Sequence, residues 1–112
     1  MKSMAIMFPV LPNKREKVLE FAKALSGERA AEYAASQESV VRETWHLQPT
    51  AMGDFLIVHF DAPDPAAVFA GLAGSDSPFD VWFRQQAQEI TGIDFTQAPG
   101  ELPQQVFQYE KA

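Results

Sequence analysis

The chain holds two histidines, and both lie in one stretch, RETWHLQPTAMGDFLIVHFDA, which runs from Arg42 to Ala62. Imidazole titrates near neutral pH, so His46 and His59 are the candidate catalytic residues for a proton-transfer step. Two imidazoles make a poor metal site, because a catalytic zinc takes three protein ligands. Glu43 is the carboxylate nearest in sequence, but on a strand it alternates to the face opposite His46, and Asp61 stands at the strand end. No metal and no cofactor is expected. The candidate ligand-binding residues are Glu43, Trp45, Gln48, Trp82 and Tyr109. Glu43 can line a pocket or pair with Arg84 or Lys111. Trp82 can stack on a ligand or pack in the core, and Tyr109 can offer a phenol to a cavity.

The rest of the chain must position these groups. It has 112 residues and is 46% hydrophobic, with nine phenylalanines, two tyrosines and two tryptophans. That suits one domain spanning residues 1–112 with its own core. A chain this short buries only about two-thirds of its unfolded surface, so association with a second copy would add stability. The net charge of −6 argues against nucleic acid, whose phosphates need a basic face. Lys14, Arg15 and Lys17 form a basic cluster around Glu16, which reads as a solvated helix start. The absence of cysteine excludes disulfides and thiolate chemistry. No segment approaches the roughly 20 apolar residues of a membrane span. A cytoplasmic protein is expected, with no membrane or nucleic-acid partner.

Met4 to Leu11 alternates as a first strand, apolar on both parities. Asn13 reads as a helix cap with Glu16 in the capping-box position, ahead of the stripe Val18, Phe21, Ala22 and Leu25. A second helical piece, Glu28 to about Gln37, carries Tyr33. Val40 to Pro49 and Asp54 to Asp61 read as a hairpin with Gly53 in its turn. Asp64 caps a short helix with Pro65 first, and Ser77 caps another with Pro78 first, which Gly92 stops. Ile93 to Pro103 reads as an irregular loop that covers a cavity or reaches a partner subunit. Gln105 to Tyr109 alternates as a last strand. The order β-α-β-β-α-β is that of a ferredoxin-like α+β fold, an antiparallel four-stranded sheet with split helices on one face. Pressing two open sheet faces together would make a homodimer and enclose a cavity.

Whether the histidines share a face turns on the hairpin register. A loop centred on Met52–Gly53 puts His46 opposite His59, on one face with Thr44, Gln48, Phe55 and Ile57. Trp45, Leu47, Leu56, Val58 and Phe60 then make a cleanly apolar second face. A three-residue loop, Ala51 to Gly53, shifts the register by one and sends the histidines to opposite faces. Binary pattern favours the first arrangement and turn chemistry the second.

The stretch RETWHLQPTAMGDFLIVHFDA, then DSPFDVWFRQQAQEITGIDF, then VFQY after a Pro-containing loop, resembles the dimeric α+β barrel superfamily. That group includes antibiotic-biosynthesis monooxygenases and stress-responsive barrel proteins. More narrowly, the chain is similar to a small bacterial family of unknown function within it. The resemblance implies a homodimer that binds a small, partly apolar molecule in a cavity. By analogy it implies, as an alternative, cofactor-independent oxygenation or isomerisation of an aromatic or polyketide-like substrate. His46 or His59 would then move protons, Trp45 would stack, and Glu43 or Gln48 would orient. A non-catalytic protein-interaction module is the other alternative.

Overall fold

A computed structural model describes residues 1–97 and 100–112. The elements are β1 (Lys2–Pro9), α1 (Arg15–Ser26), α2 (Ala30–Ser36), β2 (Arg42–Thr50), β3 (Gly53–Ala62), α3 (Pro65–Gly74) and α4 (Pro78–Thr91). The three strands form one antiparallel sheet in the order β1-β3-β2. The first two strands therefore run parallel to each other with β3 between them, the split β-α-β arrangement. A final strand at Gln105–Tyr109 does not form. That segment lies outside any helix or strand and is exposed, with Val106 at 87% and Phe107 at 79%. Its alternation is real, but it does not pair with the outer edge of β1. The expected loop from Ile93 to Pro103 includes Ala98 and Pro99, which lie outside the described residues.

Alternation along β3 sets the two faces. Leu56, Val58, Phe60 and Ala62 are buried against the helices, while Phe55, Ile57, His59 and Asp61 point the other way. On β2 the helix-facing set is Glu43, Trp45 and Leu47, and on β1 it is Met4, Ile6 and Phe8. The helices close over this face with Val18, Phe21 and Leu25 of α1 and Phe79, Phe83, Ala87 and Ile90 of α4. Among the described residues no helix covers the opposite sheet face. Met7 on it is 60% exposed.

The helix ends follow their local chemistry. Asp64 accepts from the Ala67 amide with Pro65 at the first turn, and Ser77 accepts from the Asp80 amide with Pro78 behind it. Gly92 ends α4 at φ 76°, a conformation that costs an L side chain energy, and a Cβ there would also meet Leu11. Asn13 is not the cap of α1. It takes φ 65° in the tight turn after β1, and Lys14 precedes the helix without a side-chain cap. Asparagine tolerates that left-handed turn better than other L residues, and the turn takes precedence here over the capping box. The basic cluster is spent on structure. Arg15 makes two 2.8 Å bonds to Asp54, while Lys14 and Lys17 reach Glu89 of α4.

Candidate functional site

The inner face of the sheet and the helices above it line a partly open cavity of about 80 Å³. A water needs roughly 10–15 Å³ of such space, so the cavity holds several waters or one compact organic molecule. Its walls are aromatic and aliphatic: Phe21 and Phe83 from the helices, Phe60 and Val58 from β3, Val68 and Leu72 from α3. Phe95, beyond α4, folds back edge-on to Phe8 at 5.4 Å and lines the same space.

Among the described residues, Glu43 is the single carboxylate in this lining. It sits half-buried two residues before Trp45 on β2, so both side chains stand on the same face. The Trp45 indole N–H donates to Glu43 Oε2 at 2.6 Å. From α2, the Tyr33 hydroxyl lies 2.6 Å from Oε1 and 2.7 Å from Oε2 and donates to this carboxylate. Tyr33 is placed by its ring, which stacks on Phe83 at 5.7 Å with an interplanar angle of 15°. Burial first, then the negative charge of Glu43 and the hydrogen bond to it, push the Tyr33 phenol far above its ordinary range. The phenol is therefore a fixed donor. Trp45 is placed by Phe21, at 5.6 Å between ring centroids.

Tyr33, Gln37 and Glu43 line both this cavity and an outer groove formed with Glu38, Val40 and Arg42. They make the partition between the interior and the surface. A carboxylate offers about four acceptor positions. Tyr33 and Trp45 leave capacity on Oε1 for a hydrogen-bond donor or a proton delivered from the cavity.

The other sequence candidates stand elsewhere. The hairpin loop is Ala51–Met52, with Thr50 opposite Gly53. The Thr50 hydroxyl closes it, donating to the Gly53 carbonyl at 2.6 Å and accepting from the Met52 amide. His46 consequently pairs with Ile57 and His59 with Thr44. The histidines share a face, as neighbours on a diagonal and not directly opposite, and that face looks away from the cavity. His59 instead borders a separate pocket with Ala5, Pro103 and Gln105. Gln48 is exposed, its amide donating to the Pro49 carbonyl. Trp82 lies under the Arg29 guanidinium, 4.0 Å from the ring centroid, and packs on Phe21 and Phe79. Tyr109 is exposed at 76% on the tail.

Glu43 meets neither Arg84 nor Lys111. Arg84 donates instead to the carbonyls of Leu72 and Ser75, tying the end of α3 to α4. Nor does Arg84 form an ion pair with Asp80 one turn earlier on α4. The Asp80 carboxylate accepts from Ser36 of α2. Sequence reasoning did not single out Tyr33 or Gln37 as site residues. A lone tyrosine in an alanine-rich helix was the available signal.

Among the described residues no three His, Asp or Glu side chains come together as a metal site, and no helix is long and apolar enough to cross a membrane. No family model, curated protein or solved structure matches the chain.

Proposed function

We propose that the chain binds a small, partly apolar molecule in the cavity between sheet and helices, with Glu43 recognising its polar end. The observation that carries this reading is the one carboxylate, held by Tyr33 and Trp45, in a lining that is otherwise almost wholly apolar. Ligand sites have this composition: an apolar enclosure with a few fixed polar groups that set orientation. Neither histidine lines the cavity, so polar recognition falls to Glu43, Tyr33 and Gln37.

The same reading makes the working unit a ferredoxin-like homodimer of the α+β barrel kind. Two features support it. The strand order leaves the outer edge of β1 free, where a fourth strand would complete the sheet. The tail that alternates like a strand stands exposed with Val106, Phe107 and Tyr109 uncovered. An open edge beside an uncovered apolar segment is a liability that association removes.

Native mass spectrometry of protein purified without added ligand tests both parts. A dimer carrying extra mass that leaves on denaturation is the expected result. A ligand-free monomer that also takes up no small molecule when offered would contradict the reading.

A further inference from the structure

We propose that the molecule taken by this cavity is a small organic cation: a primary ammonium on a compact apolar body, its nitrogen on Glu43. The inference rests on the cavity reading above and adds the charge of the ligand.

Several carboxylates of this chain have charged partners. Asp54 is paired with Arg15, Glu89 with Lys14 and Lys17, and Glu32 with Arg29. Asp80 lacks a direct ion pair, but it lies in the field of Arg84 and accepts from serine hydroxyls. Glu43 differs from these in lining the apolar cavity. Among the described residues no Lys, Arg or His nitrogen comes within 4 Å of it. Its partners are a phenol and an indole, which are neutral donors. Such donors hydrogen-bond a carboxylate but bring no counter-charge to it. A negative charge facing an apolar cavity with no counter-charge is costly, and a cation that enters relieves the cost.

The walls point the same way. A cation beside Glu43 would lie in a lining rich in aromatic residues, among them Trp45, Tyr33, Phe21 and Phe83. Aromatic faces attract cations. The fold already uses that attraction a short distance away, where Arg29 lies over Trp82. Glu38 lines the outer groove together with Glu43, and among the described residues Arg42 is the one basic residue there. A net charge of −6 also favours the approach of a cation over that of an anion. A carboxylate-bearing ligand would meet Glu43 with like charge.

The test is calorimetric titration of the whole chain at neutral pH with benzylamine, benzyl alcohol and benzoate. The butyl series (butylamine, butanol, butyrate) is run beside it, so that size does not decide the result. The amine of a series should bind about tenfold or more tighter than its alcohol, with no binding of the carboxylate. In Glu43→Gln the preference for amine over alcohol should vanish. Should an alcohol or carboxylate bind as tightly as its amine, the cation inference fails while the cavity reading stands. Should no member of either series bind, both fail. The comparison within the unsubstituted protein decides the matter even if the Glu43 variant does not fold.

Discussion

The Tyr33 hydroxyl lies within 2.7 Å of both carboxylate oxygens of Glu43, and so joins a helix to a strand across the mouth of the cavity. This contact fixes the acceptor that a ligand would meet. It also makes α2, which has no fully buried residue, part of the site.

Removing the hydroxyl should loosen that junction. A hydrogen bond to a charged group is worth about 1.5–3 kcal/mol, and partial exposure of Glu43 places Tyr33→Phe at the lower end of that range. Urea unfolding should show the loss with no change in the slope against denaturant. The ring stacking on Phe83 is retained in this variant, so a loss much larger than this would mean that the fold itself has moved.

Alkaline pH gives a second prediction. The Tyr33 phenol is raised above its unfolded value of about 10, so its contribution to stability is complete below that pH. The contribution then falls as pH climbs toward the folded value. The protein should therefore open before Tyr33 ionises. In a titration followed by tyrosinate absorbance, the signal present in the unsubstituted chain and missing in Tyr33→Phe should appear together with the loss of tertiary circular dichroism. Its appearance in the folded protein near the ordinary tyrosine range would contradict the buried donor.

Arg84 should behave as a clamp for α3. It donates at 2.6 and 2.8 Å to the carbonyls of Leu72 and Ser75, which the helix end leaves without partners of their own. Arg84→Met keeps much of the stem and removes the donors. The expected cost is about 1.5–3 kcal/mol, with faster amide hydrogen exchange concentrated in α3.

At the acid end Asp80 carries the prediction. Burial pushes its carboxyl up, but bonds from Ser36, Ser75 and Ser77 and the charge of Arg84 outweigh burial, and the net shift is downward. A lowered value contributes stability above the unfolded value of about 3.9, and the contribution is lost as pH falls through the folded one. Asp80→Asn should therefore cost about 1–3 kcal/mol at neutral pH, with the gap to the unsubstituted protein closing as pH falls below about 4. Comparing the two proteins at each pH cancels the other carboxylates.

Local chemistry was the legible part of this sequence. Asp64–Pro65, Ser77–Pro78 and Gly92 each act within one turn, and each marks a helix end in the structure. The parity of the hairpin was legible too, because Leu56, Val58 and Phe60 make one clean face. Its register was not. Gly53 looks like a turn residue, yet it pairs with Thr50, whose hydroxyl organises the turn. Asn13 satisfied the pattern of a cap while the backbone needed it for a left-handed turn. The site was half legible. Glu43 and Trp45 follow from strand alternation, but Tyr33 reaches them from another element, and no spacing within the sequence encodes that meeting. The histidines drew attention through their chemistry, and the register placed them on the far face of the sheet.

The central claim is that a small molecule enters the space between Glu43, Trp45 and the α3 roof. NMR titration of the labelled chain with butylamine tests it most directly. The expected result is a shift of the Trp45 indole N–H and of the Val58, Val68 and Leu72 methyl groups, with intermolecular contacts from the butyl chain to the same groups. Contacts confined to the open sheet face around Met7, His46 and His59, with the cavity signals unmoved, would contradict it.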